Sequence, residues 1–143
     1  MADQSAAPAP PLVLVVEDDP DLRSLAVTVV EEAGLSVVEM ASAEAALAFL
    51  REHAPDVVCV FADFELAGSL DGIDIARVAA VSWPWIKVLI TSGGSRISDV
   101  PKTARFLPKP WRAADVWAHL ESVAPREPGA RRARDGDTPQ LRR

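Results

Sequence analysis

The chain has 143 residues, of which 49% are hydrophobic and 25% are charged, the usual balance of one globular domain. The longest apolar runs, residues 45–50 and 57–62, have six residues each, whereas a membrane-spanning helix needs about 20. The N-terminal residues carry no basic group ahead of an apolar stretch, which argues against a signal peptide, and the one cysteine, Cys59, cannot form an internal disulfide. We therefore expect a cytoplasmic protein with no membrane contact.

The charge is distributed unevenly along the chain. Residues 1–124 carry 9 basic and 18 acidic groups, whereas residues 125–143 carry 6 basic and 3 acidic groups. The acidic body makes nucleic-acid binding unlikely as a function. We expect a disordered N-terminal arm over residues 1–11, one folded domain over residues 12–124, and a basic tail over residues 125–143. The tail has too few apolar residues to fold, so we expect it to be disordered.

The folded domain begins with a short apolar run, Leu12–Val16, which predicts a buried strand. Asp19 and Pro20 follow as a helix N-cap and first helical residue. Gly34 is the expected end of this helix. The apolar residues of the helix recur at helical spacing: Leu22, Leu25, Ala26, Val29 and Val30.

The same alternation of strand and helix continues to residue 123. Further strands are predicted at residues 35–39, 56–62, 86–90 and 105–107. Further helices are predicted after Ser42, at residues 73–81 and at residues 112–123, and residues 94–104 are short for a helix and contain Pro101. Five apolar strands separated by helical segments predict an α/β fold, a doubly wound five-stranded parallel sheet with helices on both faces.

Ligands of such sheets bind beyond the carboxyl ends of the strands. The polar residues that follow the predicted strands are Glu17, Asp18, Asp19, Asp63, Thr91, Ser92 and Lys109. Two carboxylates about 4 Å apart repel by roughly 4 kcal/mol at an effective dielectric of 20, so this group requires a counter-charge. Mg²⁺ with Lys109 would supply that charge. A carboxylate beside Mg²⁺ is also a suitable nucleophile toward phosphorus.

Four motifs occur in order, each at a predicted strand end: V-E-D-D-P, A-D-F-E-L-A-G-S-L-D-G, I-T-S-G and F-L-P-K-P. Together they resemble the receiver domain of bacterial two-component response regulators, over about residues 12–123. The resemblance implies a flavodoxin-like sheet with strand order 2-1-3-4-5. It also implies a cis peptide bond between Lys109 and Pro110. The sequence departs from the family at Ala67, where the family usually has proline.

The resemblance also implies a role for individual residues. Asp63 would be the phosphoacceptor, and Lys109 would pair with it or with its phosphate. Asp18 and Glu17 would hold Mg²⁺ together with Asp63 and the backbone carbonyl of Glu65. Thr91 would be the switch hydroxyl and Phe106 the aromatic switch residue. From the residues alone, Asp19 is better explained as the helix N-cap than as a metal ligand, and Glu17 could act directly or through water.

We therefore expect a stand-alone receiver that is not an enzyme. It would accept a phosphoryl group from a histidine kinase or phosphotransfer protein and signal by contact with an unknown downstream protein or by phosphorelay. A homodimer is an option that the sequence leaves open. Two alternatives remain: a phosphorylation-independent binding module, and a Mg²⁺-dependent phosphohydrolase that forms an aspartyl phosphate.

Overall fold

The computed structural model describes residues 11–93 and 100–122. This part of the chain forms five strands and four α-helices. The strands are β1 (Leu12–Val16), β2 (Ser36–Met40), β3 (Val57–Asp63), β4 (Lys87–Ser92) and β5 (Ala104–Pro108). The helices are α1 (Pro20–Glu32), α2 (Ala43–His53), α3 (Gly72–Ser82) and α4 (Ala113–Glu121), and a short 3-10 turn, Ala54–Asp56, precedes β3.

The strands form one parallel sheet in the order β2-β1-β3-β4-β5. The predicted α/β fold and strand order are therefore confirmed. Strands β1, β3 and β4 lie inside the sheet and are buried along nearly their whole length. Their side chains face helices on both sides, which explains why these segments are apolar at consecutive positions rather than at alternate ones.

Two separate apolar clusters hold the helices against the sheet. One face of the sheet packs with α2 and α3, through residues such as Leu50 and Ile75. The other face packs with α1 and α4, through residues such as Val30 and Leu120. Trp117 of α4 links this helix to α1, because its indole Nε1–H donates to the carbonyl of Val29 at 2.9 Å.

The helix start predicted at Asp19 is confirmed. One carboxylate oxygen of Asp19 accepts hydrogen bonds from the N–H groups of Asp21 and Leu22, at 2.9 and 3.2 Å. These bonds satisfy donors that have no partner inside the helix. Gly34 follows the helix with a φ of 88°, a conformation that glycine adopts without strain.

Two predicted strands are displaced in ways that affect the candidate residues. Residue Asp56 closes the 3-10 turn instead of opening β3, and Asp63 is the last residue of that strand. Strand β4 begins one residue later than predicted and continues through Thr91 and Ser92. Both residues stay in the strand because they pair with neighbouring strands, Thr91 with Asp63 and Ser92 with Pro108. Sequence periodicity does not report such pairing. Strand β2 is likewise shifted by one residue.

The apolar stripe of α1 is only partly buried. Residues Ala26, Val29 and Val30 are buried, whereas Leu22 and Leu25 are 38% and 51% exposed. The helix begins next to the carboxyl edge of the sheet, so its first turns extend beyond the strands that would cover them. Among the residues described, no helix combines the length and apolar character needed to cross a bilayer. The expectations for the N-terminal arm, residues 94–99 and the tail fall outside the described residues and stay predictions.

Candidate functional site

The polar residues singled out in the sequence meet at one edge of the sheet. Residue Val16, the last of β1, pairs with Ala62, and Asp63 pairs with Thr91 on β4. The chain leaves β5 at Pro108, and the next residue, Lys109, donates its backbone N–H to the Ser92 carbonyl at 2.9 Å. Parallel pairing therefore brings the carboxyl ends of four strands together, as the doubly wound fold requires.

Three carboxylates form the acidic part of this site. Glu17, Asp18 and Asp63 each place one oxygen within 4.8 Å of the oxygens of the other two. Glu17 and Asp63 are buried, each with 8% of its surface exposed, and Asp18 is exposed. The rigid ends of β1 and β3 fix the two buried groups, because neither strand can move without disrupting the centre of the sheet.

Lys109 supplies the positive charge of the site. Its Nζ lies 3.0 Å from Oδ2 of Asp63, and about a quarter of its side chain is accessible. The Lys109–Pro110 peptide bond is cis, in agreement with the resemblance to receiver domains. The ion pair partly neutralises a buried carboxylate that lies beside two further carboxylates.

Burial raises the pKa of Glu17 to about 7, and the charge of Asp63 adds to this effect. The backbone N–H of Asp19, which donates to Oε2 of Glu17 at 3.1 Å, and the charge of Lys109 act in the opposite direction. Desolvation dominates because a buried carboxylate loses its hydration, and one hydrogen bond replaces only part of it. Near neutral pH Glu17 is therefore only partly ionised, and a bound cation would favour its deprotonated form.

Backbone hydrogen bonds fix the loop that follows Asp63. The N–H of Phe64 donates to the Thr91 carbonyl at 2.8 Å, and the N–H of Glu65 donates to Oδ1 of Asp63 at 3.3 Å. The side chain of Glu65 is exposed, and the proposed role of its carbonyl remains a prediction. Further along, the N–H of Ala67 donates to Oδ2 of Asp18 at 3.0 Å. A proline at position 67 would have no N–H for this bond.

The two proposed switch residues lie on neighbouring strands. Thr91 is 3% exposed and sits beside Asp63 in the sheet, within reach of the same edge. Phe106 lies on β5, pairs with Ile90 and packs partly buried against the α2–α3 face. The structure thus brings Thr91 to the site, whereas Phe106 lies one strand further out.

Sequence reasoning missed the role of Gly72 at the start of α3. A Cβ at this position would lie 2.5 Å from the backbone oxygen of Asp63 and 3.1 Å from Cα of Phe64. Only glycine lets the helix begin so close to the backbone at the end of β3. The motif Asp71-Gly72 was the available signal: Asp71 caps the helix by accepting from the N–H of Asp74 at 3.0 Å.

Comparison with known proteins gives the same classification. The family model described as the response regulator receiver domain matches residues 13–121. The chain belongs to this family. The receiver protein CpdR of Brucella abortus is 28% identical over 116 residues, which cover 78% of this chain and 94% of CpdR. The nitrogen assimilation regulatory protein NtrX of Azorhizobium caulinodans is 29% identical over 107 residues, 71% of this chain but only 23% of NtrX.

Solved structures agree with this family assignment. The receiver domain of NtrX from Brucella abortus is 28% identical with a TM-score of 0.66, and the match covers 78% of this chain and 96% of that domain. A receiver domain protein from Clostridium thermocellum has a TM-score of 0.73 at 22% identity, over 79% of this chain and 93% of that chain, which supports the fold alone. Receiver domains act in two-component signal transduction and are in general signalling modules rather than enzymes.

The acidic cluster fits the divalent cation that receiver domains typically bind. Its donors are carboxylate oxygens, the ligand type that Mg²⁺ prefers, and their close approach creates a charge that one lysine does not neutralise. Two of the three carboxylates are held by buried strand ends, so the site is formed before any ion binds.

Proposed function

We propose that the protein is a phosphoacceptor of a two-component pathway and that Asp63 is the residue phosphorylated. The observation that carries this proposal is the environment of the Asp63 carboxylate. Asp63 is buried at the centre of the carboxyl edge, Lys109 contacts one of its oxygens, and Glu17 and Asp18 lie beside it. Among the described residues, Asp63 is the one carboxylate that combines an ion pair with a lysine and two further carboxylates whose oxygens lie within 4.8 Å.

The proposed reaction is a phosphoryl transfer to an oxygen of Asp63. The oxygen attacks phosphorus, the bond between phosphorus and the donor nitrogen breaks, and the imidazole of a phosphohistidine leaves. Asp18, Asp63 and Glu17, with the Glu65 carbonyl, would hold Mg²⁺, which neutralises charge on the transferring group. Lys109 would stay near the new phosphate, because its Nζ already lies 3.0 Å from Oδ2. The Thr91 hydroxyl would donate a hydrogen bond to a phosphoryl oxygen.

A groove beside Asp63 supports an approach by a partner protein. Its volume is about 390 Å³, and its lining includes Leu22 and Leu25 of α1 and Trp111 after β5, together with Asp63 and Lys109. Exposed leucines next to a polar reaction centre are the composition expected of a protein contact. We propose that the phosphodonor, a histidine kinase or phosphotransfer protein, contacts this groove.

The phosphoryl group would bias a two-state arrangement of β4 and β5 through Thr91 and Phe106. The output would then be a contact with another protein or a relay of the phosphoryl group. Support for a receiver that works without an attached output domain comes from CpdR, since the match covers 94% of that protein.

The test is phosphorylation with acetyl phosphate and binding of beryllofluoride, both with Mg²⁺, followed by mass spectrometry and amide NMR spectra. We expect one added phosphoryl group and shifts along β4 and β5 in the wild type, and neither in Asp63→Asn. Asp56→Asn is the matched control, because Asp56 is an exposed carboxylate at the other end of β3. Unchanged spectra of the wild type would refute the proposal. Partner binding that survives both Asp63→Asn and chelation of Mg²⁺ would favour a phosphorylation-independent module.

A further inference from the structure

A second concave site lies at the amino ends of β4 and β5, at the opposite edge of the sheet from Asp63. It has a volume of about 250 Å³, and its lining includes Trp85, Lys87, Lys102 and Arg105. Lys87 is the first residue of β4, whereas Thr91 beside Asp63 is close to its end. At about 3.3 Å per residue along a strand, the two sites are roughly 13 Å apart or more. We call this second site the basic cavity.

The basic cavity concentrates positive charge in an acidic domain. Residues 1–124 carry only 9 basic groups against 18 acidic ones, yet three of the basic groups line this one cavity. The ion pairs among the described residues involve other basic side chains, so Lys87, Lys102 and Arg105 have no carboxylate partner there. Three unpaired cations around one concave surface create a local positive potential that attracts anions.

The hydrogen bonds of these cations go to neutral oxygens. Lys87 Nζ lies 3.3 Å from the His119 carbonyl and 2.6 Å from Oγ of Ser122. One Nη of Arg105 donates to the carbonyls of Lys102 and Ala104, at 2.7 and 3.0 Å. These contacts position the side chains without neutralising them. A guanidinium has five N–H donors, so Arg105 keeps donors available for a ligand.

Burial and neighbouring positive charges lower the pKa values of Lys87 and of His119, whose carbonyl Lys87 contacts. Burial lowers the pKa of Lys87, and the charge of Arg105 lowers it further. Burial also lowers the pKa of His119. The charges of Lys87 and Arg105 lower it further, whereas the charge of Asp115 raises it. Like charges held this close destabilise one another unless an anion binds between them.

Trp85 gives the basic cavity an aromatic wall. The residue is 55% exposed, an unusual position for so large an apolar side chain. Its indole Nε1–H already donates to the Ala54 carbonyl at 3.2 Å, so the polar atom needs no ligand. The exposed ring surface is then free for stacking against a flat ligand group, an interaction that is favourable for nucleobases.

We propose that the basic cavity binds a phosphomonoester that carries a flat ring, the chemistry of a nucleoside monophosphate. The phosphate contacts Lys102 and Arg105, with Lys87 adding to the field, and the ring packs on Trp85. The volume is slightly below the roughly 300–1,000 Å³ usual for drug-sized ligands, which suits one phosphate and one ring rather than a larger cofactor.

The experiment is an NMR titration of the full chain with three probes: adenosine 5′-monophosphate, inorganic phosphate and adenosine. We expect the monophosphate to shift the amides of Lys87 and Arg105 and the indole N–H of Trp85. Phosphate alone should shift the two amides more weakly, and adenosine should have the smallest effect. Added salt should weaken the monophosphate response, because the contacts are charged and partly exposed.

Variants separate this site from non-specific charge effects. Lys102→Gln with Arg105→Gln should weaken monophosphate binding by about tenfold or more, since two charge-assisted hydrogen bonds are lost. Arg77→Gln, which removes one exposed cation from α3, should leave binding unchanged. Trp85→Ala should weaken binding of the monophosphate and leave inorganic phosphate unaffected.

Three results would overturn the proposal: no shifts at the basic cavity with either phosphate probe, shifts confined to the edge around Asp63 and Lys109, or equal affinity in the double variant. Acetyl phosphate should still phosphorylate the double variant at the wild-type rate. That result confirms the fold of the variant, so a loss of binding is then due to the cavity itself.

Discussion

Substitution of Gly72 by alanine should damage both stability and phosphorylation. The new Cβ would lie 2.5 Å from the Asp63 carbonyl oxygen, 3.1 Å from Cα of Phe64 and 3.2 Å from the Asp63 carbonyl carbon. All three neighbours are backbone atoms of the strand end, so no side-chain rotation can relieve the overlap. Either α3 moves away from the sheet or the end of β3 shifts.

The expected cost follows from this overlap. Forcing an extra methyl group into a packed site typically costs about 1–3 kcal/mol. For a domain of this size, about 1 kcal/mol lowers Tm by roughly 4–8 °C, so we expect a decrease of about 4–24 °C. If the end of β3 shifts, the Asp63 carboxylate moves with it. A misplacement near 1 Å costs up to about 100-fold in rate, so phosphorylation should slow by about 10–100-fold.

The assays are thermal unfolding followed by circular dichroism and the rate of phosphorylation by acetyl phosphate. Gly93→Ala is the matched control, because a Cβ there would meet no atom within 4 Å among the described residues. Equal Tm values for Gly72→Ala and Gly93→Ala would refute the steric argument. A decrease in Tm without any change in phosphorylation rate would show that α3 moves and Asp63 does not.

Three further outcomes follow from the contacts of the site. Asp18→Ala should abolish Mg²⁺ binding in a fluorescence titration. It should lower the free energy of unfolding in urea by only about 0.5–1.5 kcal/mol, because this exposed side chain accepts one backbone hydrogen bond, from Ala67; global unfolding would contradict this prediction. Lys109→Met should destabilise the metal-free protein by about 1–2 kcal/mol, since the buried Asp63 carboxylate loses its ion-pair partner. Glu39→Gln, which breaks the exposed ion pair with Arg23, should cost less than about 1 kcal/mol. Because the pKa of Glu17 is raised from 4.5 to about 7 on folding, the folded state binds this proton more tightly than the unfolded state. Without metal, the free energy of unfolding should therefore decrease as the pH rises from 4.5 to about 7, by at most about 3 kcal/mol. Glu17→Gln should flatten this pH dependence, and Mg²⁺ should oppose it because the ion binds the deprotonated form; an identical slope in Glu17→Gln would exclude this residue as the cause.

Much of the fold could be predicted from the sequence because its signals are local. Apolar runs of strand length alternate with helical spacing, and this pattern alone predicts a parallel sheet covered on both faces. The N-cap role of Asp19 follows from a two-residue motif, and the geometry bears it out. The grouping of four charged residues could also be predicted, since the carboxyl ends of the strands of a parallel sheet meet at one edge: Glu17, Asp18, Asp63 and Lys109.

The exact ends of the strands were harder to predict from the sequence. The apolar pattern predicts that β4 ends at its last aliphatic residue. The strand instead continues through Thr91 and Ser92, because residues on β3 and β5 pair with them. Strand limits of this kind depend on the neighbouring chain segment and not on the residue itself, so a single sequence contains no direct sign of them.

The sequence by itself determined the approximate positions of the strands, where α1 starts and which charged side chains lie at the carboxyl edge of the sheet. Only the tertiary structure decided how these groups affect one another. The raised pKa of Glu17, the bond from Ala67 to Asp18 and the need for glycine at position 72 are examples. The basic cavity belongs with them, because Trp85 and Arg105 come from separate segments. Burial, repulsion and steric overlap depend on distances through space, and those distances exist only after the chain has folded.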